Sequence, residues 1–321
     1  MKRSMLVLAA CLFAAPLAAI AQGSYPLKPV RVILGFPPGA AADIVTRVVA
    51  AKLGEDLKQS FVVENRPGAS SNIAAEFVVR SAPDGYTLLM GTIANTINAS
   101  LYKKLPFDFA RDLAPIATIA SVPNLLVVHP SLPARSVKEL IAIAKAHPGE
   151  ILFGSSGNGT SPHLSGVLFN SMAQVKMVHV PYKGSPQAVT DLVAGRVQVM
   201  FAPASTALPF VKDGKLRALA ASSARRAAIA PDVPTVSEAG LTGFETSIWF
   251  ALFAPEATPR EVIERLNAAS VQAVNDSEVK RKLAAQGIDT LGGTVAQTAA
   301  LVRSELAKWA KVVRESGATL D

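Results

Sequence analysis

The sequence predicts an α/β protein of two lobes, each built on a mostly parallel sheet, and three observations carry that expectation. The chain has 321 residues, beyond the roughly 250–300 at which a single hydrophobic core stops growing. Short apolar runs alternate with helical patterns in two successive series, as βαβ units with helices on both sheet faces require. A further apolar strand and long helices follow a Gly240-Leu241-Thr242-Gly243 break.

In the first series, Val30-Arg31-Val32-Ile33-Leu34 reads as a strand. A helix with apolar positions Val45, Val48, Val49, Leu53 and Leu57 follows. Strand Phe61–Glu64, a helix near Ile73–Arg80 and strand Tyr86–Met90 complete it. The second series opens with the run Asn124-Leu125-Leu126-Val127-Val128. Ser136-x-x-Glu139 is a capping box whose helix stops at His147-Pro148-Gly149. Strand Ile151–Phe153, a helix near His163–Met172, strand Met177–Val180, a helix near Pro186–Ala194 and strand Val197–Phe201 come next. Leu216–Ala221 is the last strand of that lobe. Ile248–Phe253 then returns to the first lobe, and two long helices finish the chain. Thr258-x-x-Glu261 with Pro259, and Thr294-x-x-Gln297, are read as their caps. The second lobe is thus an insertion, with lobe 1 at 22–123 plus 247–321 and lobe 2 at 124–246. Two crossing strands make a hinge.

The first 21 residues read differently. Lys2 and Arg3 precede an apolar run from Met5 to Ile20, and Ala19-Ile20-Ala21 offers a small-residue cleavage site, the pattern of a secretory signal peptide. The run is short for a bilayer span of about 20 residues, and no comparable stretch follows. Leu8-Ala9-Ala10-Cys11 is an alternative lipobox. Cys11 is the only cysteine, so the exported chain has neither a disulfide framework nor a thiol nucleophile. Without Lys2 and Arg3 the balance is 30 basic against 24 acidic residues, which suits an anionic small molecule in the periplasm. The basic residues are scattered rather than clustered with aromatics, which argues against nucleic acid.

In open parallel sheets ligands bind where strands end and helices begin. Two loops there have the required small residues: Gly35 to Asp43 after the first strand, and Gly154 to His163 in the corresponding place in lobe 2. Small side chains let an anion approach the backbone, and unpaired N–H groups at helix starts attract it. Two such loops facing each other can grip the two ends of a dicarboxylate. Asp43 reads equally as a first-turn helix residue or a ligand contact. His129, His147, His163 and His179 lack metal-ligand spacing, so no metal is expected, and neither Gly-x-Gly-x-x-Gly nor a P-loop is present, so no nucleotide cofactor is. A serine with His163 is the enzymatic alternative, although no Gly-x-Ser-x-Gly elbow accompanies it.

Several strings occur together in order: Tyr25-Pro26, the Pro37-Pro38-Gly39 loop with Asp43, Glu64-Asn65-Arg66-Pro67-Gly68, Asn72-Ile73-Ala74 and Pro83-Asp84-Gly85-Tyr86-Thr87. Gly154-Ser155-Ser156-Gly157, His163-Leu164, Val180-Pro181-Tyr182-Lys183-Gly184, Gly195-Arg196-Val197 and Pro234-Thr235-Val236-Ser237-Glu238-Ala239-Gly240 continue them. Over essentially the whole mature chain this resembles the Bug-type (TctC-like) substrate-binding proteins of tripartite tricarboxylate transporters. The resemblance implies a type II periplasmic-binding-protein fold and capture of a small mono- or dicarboxylate without catalysis. It also implies delivery to membrane permease subunits. A monomer is expected, because a hinged receptor must move freely. A ligand-sensing role toward a membrane signalling kinase would use the same cleft. Carried over by position, Phe36, Pro37, Gly39, Ala40, Ala41 and Asp43 form the first grip. Ser155, Ser156, Gly157 and Thr160 form the second, with Thr92, Asn95, Tyr182 and Lys183 around the cavity. Two departures are noted: Ala40 stands where the family usually has a second glycine, and Ala202 stands where many relatives have an acid. The second removes a partner for a ligand amine and points away from amino acids.

Overall fold

The computed structural model describes residues 25–227 and 229–316. The signal peptide and Cys11 lie outside them. Lobe 1 begins with β1 (Val30–Leu34), α1 (Ala41–Leu57), β2 (Phe61–Asn65), a 3-10 turn at Ala69–Ser71, α2 (Asn72–Val79), β3 (Thr87–Thr92) and α3 (Ile93–Leu101). Strand β4 (Leu113–Val128) leads into α4 (Val137–Ala146), β5 (Leu152–Ser155), α5 (Ser161–Ala173), β6 (Val178–Pro181), α6 (Ser185–Val193), β7 (Val199–Pro203), α7 (Ala204–Lys212) and β8 (Arg217–Ala221). The chain returns through β9 (Ser247–Pro255) and ends in α8 (Arg260–Asn275), α9 (Ser277–Ala284), β10 (Asp289–Thr290) and α10 (Val295–Ser316).

Among the described residues the strands run in the order β2-β1-β3-β9-β4-β7-β5-β6, with β8 and β10 also on β4. The βαβ units give parallel pairs, β1 with β2 and β3, and β5 with β6 and β7. The crossing strands are antiparallel. β4 pairs with β9 from Leu113↔Pro255 to Pro123↔Ser247, and from Asn124 onward it pairs with β7 and β8 instead. One long strand therefore serves both sheets, changing partners at Pro123-Asn124.

Strand alternation buries both faces of the lobe 2 sheet. Leu125 and Val127 of β4, with Met200 and Ala202 of β7, join the core that continues into lobe 1. Leu126, Val128, Val199 and Phe201 turn to a separate core. There the Phe201 ring packs against Phe244 and Phe169, with centroids 5.5 and 5.8 Å away. In lobe 1, Val45, Val49 and Leu53 recur every fourth residue on α1 and are buried. Helices α8, α9 and α10 pack back on lobe 1, against β4, α1 and α3.

Two of the expected caps differ in outcome. Thr294 and Gln297 form the full reciprocal box at the start of α10, at 3.2 and 2.9 Å. Thr258 does not cap: its hydroxyl donates to Pro255 O at 2.7 Å, and α8 starts after Pro259 with no side-chain cap. The first of the two final helices is also broken, because Asp276 accepts from the amides of Glu278 and Val279 and starts α9. The Ser136 hydroxyl caps α4, accepting from Glu139 N, but the expected box is not reciprocal, because the Glu139 carboxylate accepts from Arg135 N instead of Ser136 N.

Candidate ligand cleft

The starts of five helices meet between the lobes, and the sheet topology explains why. Each of β1, β3, β5, β6 and β7 runs into a helix, and the carboxyl ends of those strands face the crossing. An inner cavity of about 40 Å³ is walled by Ala40–Ala42 of α1, Thr92–Ala94 of α3, Thr160–Pro162 of α5, Ser185 of α6 and Pro203 before α7. Phe36, Ser156, Ile248 and Phe250 complete the wall, and no charged side chain is among these lining residues. Phe36 and Ser156 also line an outer groove of about 920 Å³, which runs past Pro37, Ser70, Tyr102, Gly157, Tyr182 and Lys183.

Four of the five helix starts are uncapped by side chains. The residues at the cap positions of α1, α5, α6 and α7 are Ala40, Thr160, Gly184 and Pro203, and none makes a side-chain cap bond. Among the described residues the amides of Ala41, Ala42, Ser161 and Ser185 donate to no protein acceptor. Such N–H groups carry the positive end of the helix dipole, and each helix start contributes about 0.3–1 kcal/mol toward an anion and up to about 2 where partly buried. The exception is α3, where Thr92 accepts from Ala94 N and Asn95 accepts from Thr92 N.

The loops are held from behind. Asp43 is buried, and its carboxylate accepts from Gly39 N at 3.1 Å, Arg47 Nε at 2.9 Å and Asn65 Nδ2 at 2.9 Å. Burial pushes that carboxyl up, but the bonds from Arg47, Asn65 and Gly39 outweigh it and hold Asp43 below the ordinary aspartate range. In lobe 2, Ser155 is fully buried and shares a 2.6 Å bond with His179 Nε2 while accepting from Gly157 N. His163 Nδ1 accepts from Gly159 N at 3.1 Å, and the His163 and His179 rings stack at 4.0 Å. Desolvation lowers His163 to about 4, and desolvation with His163 as neighbour lowers His179 to about 3. Both imidazoles are therefore neutral at neutral pH.

The lobes touch across the cleft. The Ser70 hydroxyl donates to Asn158 O, and a Cβ at Gly184 would lie 2.6 Å from Pro37. Within lobe 2, Asn124 Nδ2 donates to Ser161 Oγ at 2.9 Å. A Cβ at Gly159 would lie 2.1 Å from Asn98 Oδ1, and φ there is 75°. Glycine is what lets this loop approach α3.

Of the residues expected from sequence, Phe36, Ala40, Ala41, Thr92, Ser156 and Thr160 line the inner cavity. Pro37, Gly157, Tyr182 and Lys183 line the outer groove. Gly39, Asp43, Asn95 and Ser155 line neither and instead hold loops and caps. The Tyr182 hydroxyl donates to Asp191 at 2.9 Å; burial first and that carboxylate second push its pKa up to about 12. Its ring lies beside Gly154, where an added Cβ would sit 3.6 Å from Cε2. Among the described residues His163 bonds no serine, so the catalytic pair of the enzymatic alternative is not seen. Two other serine–histidine contacts are present, Ser155 with His179, where the serine is fully buried, and the exposed pair Ser131 with His129. Ala42, Ile93, Ser161, Ser185, Ile248 and Phe250 were not expected at the site. The start of α6 was legible as Ser185-Pro186, whereas nothing in the continuous run 248–253 marks which residues face the cavity.

Two α/β lobes on shared strands, closing over helix starts, define a solute-binding protein. The comparisons agree. Residues 45–318 match the tripartite tricarboxylate transporter family receptor, and the chain belongs to that family. It is 37% identical to Protein BugT of Bordetella pertussis over 305 residues, 94% of each chain. It is also 37% identical to the UPF0065 protein in the tcbD-tcbE intergenic region of Pseudomonas sp. strain P51, over 91% of this chain and 87% of that one. Among solved structures, R. palustris Rpa4515 with adipate matches with TM-score 0.88 at 37% identity, covering 91% of this chain and 98% of the other. MatC from Rhodopseudomonas palustris with bound malate matches with TM-score 0.85 at 31% identity, covering 90% and 100%.

Proposed function

We propose that this protein is an exported periplasmic receptor that captures a small carboxylate between its lobes and delivers it to tripartite-transporter permease subunits, without chemical change. The observation that carries the reading is the convergence of uncapped helix starts on a cavity lined by no cationic side chain. Unpaired N–H donors at fixed positions suit a carboxylate, whose oxygens accept several charge-assisted bonds at once. About 8 kcal/mol is needed for micromolar affinity, which several such bonds can supply. The relatives with adipate and with malate support the ligand class.

The lobe division proposed is 25–123 plus 247–316 against 124–246, within the described residues, with the hinge where β4 exchanges β9 for β7 and β8. A monomer leaves both lobes free to move. Closure requires a ligand that prefers the closed form, and donors from both lobes provide that preference. The fully buried Ser155, with two neutral histidines and no orienting acid bonded to them, supports binding rather than hydrolysis.

Ala41→Pro tests this reading. Proline is well tolerated at the first helical position, and Ala40, at φ −68° and ψ 156°, already has the backbone that a following proline requires. The variant deletes one amide donor and puts a ring carbon in its place. Titration calorimetry with the tightest carboxylate should show affinity falling at least tenfold, with the unliganded melting temperature within about 3 °C of the parent. Unchanged affinity would remove the α1 start from the ligand.

A further inference from the structure

The inner wall carries information about the body of the ligand as well as its charge. Phe36, Ile93, Ile248 and Phe250 face the cavity, and the last two occupy alternate positions on β9 and so share one face. Pro162 and Pro203 stand at two of the helix starts, where they contribute no N–H. Three of the hydroxyl-bearing lining residues are already engaged. Thr92 Oγ1 accepts from Ala94 N, Thr160 Oγ1 donates to Gly157 O, and Ser161 Oγ accepts from Asn124 Nδ2. The remaining hydroxyls, on Ser156 and Ser185, stand on the lobe 2 side of the cavity.

We propose that the acid taken here has a plain hydrocarbon body, with no hydroxyl or amine on the carbons next to its buried carboxylate. The proposal rests on the carboxylate reading above and sharpens it to a class. A hydroxyl placed against Ile248, Phe250, Ile93 and Phe36 loses its water without gaining a partner from any of these four side chains, which is unfavourable. An amine meets the same wall, and no carboxylate lies among the lining residues to receive it. Ala202, fully buried in β7, adds none.

Titration calorimetry with three pairs of acids differing by one hydroxyl tests this: phenylacetate and mandelate, butyrate and 2-hydroxybutyrate, succinate and malate. In each pair that binds, the unsubstituted acid should be at least tenfold tighter, about 1.4 kcal/mol. In Ile248→Thr, which offers a hydroxyl on the same wall, the ratio should fall below threefold. Ile93→Thr serves as the second variant if the first does not fold. A hydroxylated acid that binds the parent protein as tightly as its partner overturns this proposal and leaves the carboxylate reading standing. Failure of all six acids overturns the carboxylate reading itself, and this proposal with it. A ratio unchanged in both threonine variants overturns the assignment of selectivity to this wall.

Discussion

His163 and His179 sit under the second loop as neutral bases, one receiving Gly159 N and the other bonded to Ser155, which in turn receives Gly157 N. Their pKa values fall from 6.5 to about 4 and about 3 on folding. The unfolded chain therefore binds more protons below pH 6.5, and stability falls as pH drops through that window. Above pH 6.5 the pair contributes no slope. The buried aspartate Asp43, lowered from 3.8, titrates below the upper part of this range, so the interval from 6.5 to about 4.5 reports mainly on the histidines. Urea unfolding at pH 7 and pH 4.5 should show a loss of roughly 2–4 kcal/mol, with carboxylate affinity falling alongside it. Equal stability at both values would place the imidazoles in water. Residue types told only part of this. Small residues at 39–41 and 155–157 mark loops that an anion can approach, and those loops do border the cleft. That Asp43 and Ser155 hold the loops from behind depends on partners up to 24 residues away, which no local spacing encodes.

At the scale of elements, the strands and helices with clear apolar period are those that the sequence made legible. The missed elements have physical reasons. The first half of β4, Leu113–Pro123, carries Pro115 and Pro123, and its ladder to β9 is irregular at 115–120. Proline removes a ladder donor and reads as a break. Helix α7 contains Pro209, and α3 carries Asn95, Thr96 and Asn98 on a short segment. Both missed helices start at the cavity, so the site was underread for the same reason as the fold. The division between α8 and α9 comes from Asp276, whose carboxylate accepts from Glu278 N and Val279 N at 2.9 and 3.1 Å. Asp276→Ala should cost about 1 kcal/mol in chemical denaturation, a typical N-cap loss, and leave ligand affinity unchanged. A loss below about 0.3 kcal/mol would mean that packing against α1 alone sets the break.

For the whole molecule, the insertion of one lobe into the other would couple the proposed binding to a movement of the lobes. β4 and β9 cross side by side between Leu113 and Pro123, so both lobes pivot on the same paired strands. Far from that pivot, Ser70 of lobe 1 reaches Asn158 of lobe 2, and Pro37 packs on Gly184. In the proposed receptor, opening the cleft would break these contacts, so they would favour the closed form once a ligand bridges the two sets of amides. The two-lobe order was legible because each lobe repeats its own βαβ alternation. The Ser70–Asn158 contact was not, because it joins turns 88 residues apart through a backbone oxygen rather than through a recognisable motif. In the proposed function, backbone amides at converging helix starts, not a cationic side chain, hold the carboxylate. The most direct test is titration calorimetry of the tightest-binding acid against its primary amide, in the parent protein and in Lys183→Ala. The account predicts micromolar binding of the acid, none of the uncharged amide up to a hundredfold higher concentration, and little change in Lys183→Ala. Equal binding of acid and amide, or loss of acid binding in Lys183→Ala, would contradict it.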